Sequence, residues 1–438
     1  QAISWGNGLL FTPMDIFNPF DPAAVDKEFK TGDDKSIIKD FDAAGAVHDV
    51  IDLSGLTSVR SWSDLSKNHL EADGADVRID GGDGPHIRET GCAPGTTIEV
   101  RDLFYNTPAR RRFLKREQTE RQMATLMPKG VQWVRAACSK FDPERNQIIL
   151  EDGERIGYKV LIVAPGLKLN WDAIEGLKET LGKNGVTSNY LFDMAPYTWE
   201  LVQSMKGGRA IFTQPPMPIK CAGAPQKAMY LACDAWKRRG VLKDVEVEFH
   251  NSGGVIFGVK EYVPALMKYV DKYGIDLCFN ETLVAVDGAN KTAYFDVTDA
   301  EGAVKREARE FDMMHVCPPQ TAPDFIRVSP LADAAGWVDV DQATLRHKSY
   351  DNIWSLGDVM NAPNAKTAAA ARKQAPTVAD NIVADIRGRS AVAQYDGYGS
   401  CPLTVERGKI VLAEFGYGGT LLPSFPSYVI DGTKPSRA

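Results

Sequence analysis

No stretch of this chain comes near the roughly 18 consecutive apolar residues that a membrane-crossing helix needs, so no span is expected, although the protein could lie on a membrane. A basic excess is missing as well. Against 51 Lys and Arg stand 58 Asp and Glu, a formal net charge of -7, which argues against a general nucleic-acid binder. The seven cysteines, Cys92, Cys138, Cys221, Cys233, Cys278, Cys317 and Cys401, include no C-x-x-C pair, and none of the six histidines forms H-E-x-x-H. That pattern weighs against a zinc centre or a dense disulfide framework and favours a reducing compartment, with any special cysteine catalytic rather than structural. No G-x-G-x-x-G follows a strand-like run. The chain starts at Gln1 without an initiator Met or a signal-like apolar run, a pattern expected where the natural start lies upstream.

What is present is an ordinary globular composition over 438 residues, 44% hydrophobic and 25% charged, long enough for two or three domains. Three unlike pieces follow one another. Residues 1–84 are acidic, with 16 Asp and Glu against 7 Lys and Arg. From Gly32 onward they resemble the tail module of secreted calcium-binding-repeat proteins, yet the single turn Asp80-Gly81-Gly82-Asp83-Gly84 cannot build a calcium ladder, which needs successive turns to share each ion. Residues 85–127 hold GTTIEVRDLFYNTPARRRFLK, which resembles the late part of the MutL mismatch-repair ATPase domain. The acidic catalytic residue, magnesium-binding Asn and glycine-rich lid of that family have no match. The cluster Arg110, Arg111, Arg112, Lys115 and Arg116 reads as a solvated helix face rather than a phosphate site.

From residue 128 to the end the pattern is of α/β type, strands alternating with helices. Tyr158–Gly166, YKVLIVAPG, reads as a strand entering a Pro-Gly turn; Arg209–Thr213, RAIFT, and Val245–His250, VEVEFH, read as the two strands of a β-loop-α-β unit. Residues 200–310 are expected to form a Rossmann-like domain. Its loop reads QPPMPIKCAGAPQK where a nucleotide-binding turn would have its glycines, so this unit should not hold NAD. A helix predicted from Ala224, with Pro225 in its first turn and Lys237, Arg238 and Arg239 before Gly240, places Cys221 just ahead of the helix N-terminus. The helix dipole, Lys220 and Lys227 would all favour the thiolate; the alternative is a small buried hydrophobe. Farther on, Leu356-Gly357-Asp358 ends an apolar strand and an alanine-rich helix begins between Asn364 and Thr367. A carboxylate at that place suits a cofactor with hydroxyls and an electron-rich ring.

Residues 128–438 resemble the sulfide:quinone oxidoreductases of the mitochondrial and proteobacterial kind. The strings that carry the likeness include VLIVAPGL, FTQPPMPIKCAGAPQKAMYL, CPPQTAPDFI, LGD, NAKTAAAARKQAP and YGSCPLTVERGKIVLAEFGYGG. The resemblance implies an α/β fold of paired dinucleotide-binding, Rossmann-like domains, with FAD as cofactor. It implies that sulfide is oxidised by a cysteine pair, that the electrons pass through FAD to a membrane quinone, and that the sulfur leaves on an acceptor. A peripheral membrane location in a bacterial cell or mitochondrion is implied too. Residue by residue, it makes Cys221 the redox cysteine, puts Gly166, Gly357, Asp358, Lys366 and Thr367 at the flavin, and puts Phe415 near the quinone.

Two departures accompany the likeness. The family's second redox cysteine follows LGD, where this chain has Val359; Cys317, in HVCPPQ, is the first expected substitute and Cys401 the second. The family's first FAD-binding βαβ unit is missing or replaced by the unrelated residues 1–127. The competing readings are therefore an inactive mosaic or truncated flavoprotein remnant that does not retain FAD, and a secreted calcium-binding or mismatch-repair ATP-binding protein.

Overall fold

The structure is a computed structural model that describes residues 123–437 and, before them, the backbone of five strands, Lys35–Phe41, Leu70–Ala72, Val77–Gly81, Pro85–Glu89 and Thr96–Arg101. Residues 10–131 and 132–438 belong to separate compact units. In the first unit the five strands make one sheet, with Lys35–Phe41 antiparallel to Thr96–Arg101 and Val77–Gly81 parallel to it on the other side. Most of the calcium-repeat-like and MutL-like segments, including Arg110, Arg111, Arg112, Lys115 and Arg116, lie outside the described residues.

The second unit begins with a three-stranded antiparallel sheet, Cys138–Asp142, Gln147–Leu150 and Arg155–Gly157. Strand β1 (Leu161–Val163) follows. It is shorter than the run YKVLIVAPG predicts because Pro165 has no N–H to offer a ladder and Gly166 turns the chain at φ +77°.

A five-stranded parallel sheet then forms from β2 (Val186–Thr187), β3 (Gly208–Gln214), β4 (Val245–Asn251), β5 (Ile275–Phe279) and, after the antiparallel meander β6 (Glu281–Asp287), β7 (Thr292–Thr298) and β8 (Val304–Glu310), β9 (Met313–His315). Its order is β2-β9-β3-β4-β5. Ala210 to Gln214 of β3 are all buried, as expected of a strand covered on both faces. The sheet reaches beyond residues 200–310 at both ends through β2 and β9, strands of two and three residues that are too short to show a period of their own.

Helices α1 (Ala195–Ser204), α2 (Ala224–Arg239) and α3 (Val263–Tyr273) fill the crossovers. In α2, Pro225 sits in the first turn, where a missing N–H costs nothing, and Gly240 closes the helix at φ +75°. Met229, Tyr230, Cys233 and Trp236 of α2 are buried against Phe212 and Phe249 of the sheet and Leu266 of α3. At roughly 1.5–3 kcal/mol per fully buried large apolar side chain, this core secures the helix whose N-terminus carries the site.

Late in the chain β10 (Ile353–Ser355) pairs in parallel with β1, and α4 (Ala368–Ile386) follows. The hairpin β11 (Gly399–Glu406) and β12 (Lys409–Phe415) closes the fold. Along β11 burial alternates, so Gly399, Cys401, Leu403 and Val405 face inward. Cys401 and Leu403 thereby join the apolar cluster that contains α2 and touches Cys221.

Candidate active site

Three chain segments converge at the start of α2. The first is the proline-rich loop after β3, ending in Lys220-Cys221-Ala222-Gly223. Cys221 adopts φ +48°, the left-handed region, which costs a non-glycine residue on the order of 1–3 kcal/mol. Two backbone hydrogen bonds hold it there: its N–H donates to the Lys366 carbonyl at 2.9 Å, and its carbonyl accepts from the Ala224 N–H at 2.7 Å. The Tyr190 hydroxyl adds a bond to the Lys220 carbonyl at 3.2 Å, and the Lys220 N–H donates to Gln320 Oε1 at 2.7 Å.

The second segment is β11. It delivers Cys401 Sγ to 3.7 Å from Cys221 Sγ. Gly223 makes this approach possible, because a Cβ there would stand 2.8 Å from Cys401 Sγ and 2.9 Å from Leu403 Cδ2. The Lys227 ammonium, one turn into α2, lies 3.4 Å from Cys221 Sγ. The Cys221 thiol is lowered to about 6, first by the hydrogen bond from Cys401, against burial, and then by Lys227. Cys401 is pushed well up by the same hydrogen bond and by its own burial. The pair is thus polarised into a half-buried thiolate and a buried thiol that donates to it.

Alkylation of Cys221 by iodoacetamide is accordingly expected to rise with pH through a midpoint near 6, because only the thiolate attacks. Lys227→Met and Cys401→Ala should each move that midpoint upward, toward the unperturbed thiol value of about 8.5, because each removes a group that favours the thiolate. Peptide mass spectrometry of the labelled protein across a pH series reads all three.

The third segment is the turn between β10 and α4. Gly357 takes φ +79°, and a Cβ added there would meet nothing within 4 Å; its N–H donates to Gln374 Oε1 at 2.8 Å. Lys366 folds back under this turn: its ammonium donates to the carbonyls of Asp358 (2.7 Å) and Met360 (2.8 Å) and sits 4.2 Å above the Trp337 ring. Burial lowers its pKa to about 8. Burial raises the half-buried Asp358 carboxyl, against the attraction of Lys366 and Lys220, and its oxygens accept no hydrogen bond among the described residues. The Thr367 hydroxyl caps α4 by accepting from the Ala370 N–H at 3.1 Å.

Of the residues singled out from the sequence, Cys221, Cys401, Lys220, Lys227 and Lys366 meet here. Of the two expected substitutes for Val359, Cys401 is the one whose sulfur is placed against Cys221. Cys317 is buried with Tyr190 and Ile219, and its sulfur stands 3.9 Å from Gln320 Nε2 and from the Pro318 carbonyl, whereas Cys401 is in direct sulfur contact with Cys221. Val359 is fully buried in the apolar cluster around β1 and β10. Gly166 lies in the turn three residues after β1, the strand paired with β10. Phe415 ends β12, packs edge-on against Phe257 at 5.8 Å and borders the cluster that holds Cys401. Tyr190 and Gln320 escape sequence reasoning altogether; Gly223, two residues past the cysteine, is a signal that was there to be used.

The residues present fit the ring and ribityl half of a flavin. An open positive-φ glycine turn, a carboxylate that accepts no hydrogen bond among the described residues and a capped helix N-terminus lie together beside a paired thiol. A glycine-rich pyrophosphate cradle is not found among the described residues.

The parallel α/β architecture is that of the Rossmann-like, FAD-dependent oxidoreductase class, and in this chain it carries a thiol at a helix mouth with a second sulfur in contact. Its sequence is 42% identical over 313 residues to the mitochondrial sulfide:quinone oxidoreductase of Dictyostelium discoideum, covering 71% of this chain and 68% of that protein, and 37% identical over 306 residues to the one of Mus musculus, covering 70% and 68%. The chain belongs to the sulfide:quinone oxidoreductase family. The X-ray structure of the sulfide:quinone oxidoreductase from the hyperthermophilic bacterium Aquifex aeolicus shares the fold, with a TM-score of 0.53 at 20% identity over 67% of this chain and 68% of that one. No family model matches. A separate stretch of 68 residues, 16% of this chain, is 47% identical to the DNA mismatch repair protein MutL of Akkermansia muciniphila, of which it covers 11%. Among the described residues no helix is long and apolar enough to cross a membrane.

Proposed function

We propose that this protein oxidises sulfide at Cys221 and passes the electrons through FAD to a quinone. The observation that carries the reading is the polarised sulfur pair, a thiolate 3.7 Å from a second thiol. The family relatives carry the names sulfide and quinone.

FAD, when bound, supplies a two-electron acceptor between sulfur chemistry and the quinone. Gly166, Gly357, Asp358, Lys366 and Thr367 would hold it. Gly357 lets the backbone come close, Asp358 accepts from hydroxyls, and the N-terminus of α4 favours negative charge. The role of Lys366 is to lock the Gly357–Met360 turn through its two carbonyl contacts. Lys227 holds the Cys221 thiolate ready near neutral pH, and Phe415 offers an apolar surface of the kind a quinone ring needs. The sulfur leaves on an acceptor thiol or as a longer sulfur chain.

The test is a visible spectrum of the purified full chain, reconstituted with FAD. Sulfide is expected to bleach the flavin band and a water-soluble quinone to restore it. A protein that stays colourless after reconstitution, or a band indifferent to sulfide, overturns the reading and favours the remnant.

A further inference from the structure

We propose that Cys401 is the redox partner of Cys221, the two closing to a reversible disulfide that hydrosulfide reopens at the Cys401 sulfur. This rests on the reading of the site given above and supplies the second sulfur that Val359 cannot.

Three independent features of the geometry bear on it. The sulfurs stand 3.7 Å apart and must close by about 1.7 Å to reach a bond of about 2.05 Å. Gly223 leaves open the space through which β11 approaches; any side chain there would strike Cys401 Sγ. The register of β11 also matters, since burial alternates along it and only odd positions face α2. Cys317 has no such approach. Its sulfur is enclosed by Gln320, Pro318 and Tyr190, and no sulfur contact to Cys221 like that of Cys401 is found for it.

In the oxidative step the two thiols lose two electrons and two protons to a two-electron acceptor, flavin in the enzyme, and a sulfur–sulfur bond forms. In the reopening step the hydrosulfide sulfur bonds to Cys401 Sγ, the disulfide breaks, and the bond pair leaves on Cys221. The proton stays on the new persulfide, Cys401–S–SH. The direction follows from leaving-group ability. A thiolate departs faster the lower its pKa, and Cys221 has Lys227 beside it while Cys401 is enclosed by Leu403 and α2. Because Cys401 is 2% exposed, the step also selects a nucleophile with one heavy atom over bulky thiols such as glutathione.

The experiment treats the folded full chain with diamide, an azo compound that accepts two electrons and two protons. The products are mapped by mass spectrometry without reduction. The expected result is a Cys221–Cys401 linked peptide pair, retained in Cys317→Ser and lost in Cys401→Ser. Sulfide added to the oxidised protein should then place one extra sulfur on the peptide carrying Cys401 and leave Cys221 alkylatable, while glutathione at equal thiolate concentration reacts at least about tenfold more slowly. A Cys221–Cys317 link, no link at all in wild type, or the extra sulfur on Cys221 overturns the proposal. Diamide needs no sulfide and no flavin, so the two readings fail separately. A link in a protein whose flavin ignores sulfide refutes the function and leaves the pairing, and bleaching without a link does the reverse.

Discussion

Cys221→Ser should abolish sulfide-dependent bleaching of the flavin, by about 10³-fold or more, the scale on which enzymes respond to loss of a covalent nucleophile, while bound FAD stays in place. The separation follows from the geometry. Serine offers a hydroxyl that neither Lys227 nor Cys401 can ionise near neutral pH, so the attacking sulfur is gone and nothing replaces it. The groups proposed to hold the cofactor, by contrast, keep their contacts. Gly357 remains bonded to Gln374, Lys366 remains under the turn, and residue 221 still donates its N–H to the Lys366 carbonyl. Stopped-flow absorbance after mixing with sulfide, together with the flavin content of the purified variant, reads both halves. A bleaching rate within tenfold of wild type would remove Cys221 from the chemistry.

How far the site could be read from sequence varies by residue, for physical reasons. Helix α2 was legible to the residue because its signals are local: Pro225 in the first turn, three basic residues at the end, Gly240 beyond. Cys221 and Lys227 belong to that local pattern, one just outside the helix and one a turn inside it. Cys401 does not. It lies 180 residues from Cys221 in the chain, and its position depends on an antiparallel register that leaves no mark near either cysteine; only Gly223, whose missing side chain makes room for its sulfur, stands close to Cys221 in sequence. Preference for Cys317 came from its place at a strand end, and that placement is right as topology. Enclosure by Tyr190 and Gln320, which set its exposure, comes from elsewhere in the fold. Short strands were hard for a related reason: β2 and β9, at two and three residues, hold no full period, and the sheet extends past its expected limits on their account.

One buried cluster in the parallel sheet had no sequence signature, and it carries the largest expected effect on stability. His250, at the end of β4, is fully buried and stacks on Phe295 at 4.1 Å. Its Nδ1 meets Glu281 Oε2 at 2.8 Å and its Nε2 meets Glu248 Oε2 at 2.9 Å. Glu248 is shared with Arg209 at 2.9 Å; Arg309 contributes charge nearby, and Cys278 lies with its sulfur within 4.8 Å of the His250 and Glu281 ligand atoms. Burial works against an imidazolium here, but the two carboxylates outweigh it and the His250 pKa is raised.

His250→Leu keeps the volume and strands both carboxylates, so it should cost about 3–5 kcal/mol, the scale of breaking a buried ion pair from one side, against about 1 kcal/mol for an ordinary substitution. Urea unfolding should show a lowered midpoint with an unchanged slope. The pH dependence follows from the sign of the shift. A histidine whose folded pKa exceeds its unfolded value of about 6.5 contributes its full stability below that value and loses it as pH rises through the folded pKa. Wild type should therefore lose stability over that interval while the variant does not, and the gap between them should narrow on the alkaline side. Glu248, held below its ordinary range first by the His250 hydrogen bond, works in the opposite sense. Its contribution is present above about 4.3 and fades as pH falls through the folded value, so the gap should narrow again in acid. A penalty under about 1 kcal/mol at neutral pH, or a gap that does not change with pH, would mean that the ring serves only as packing against Phe295.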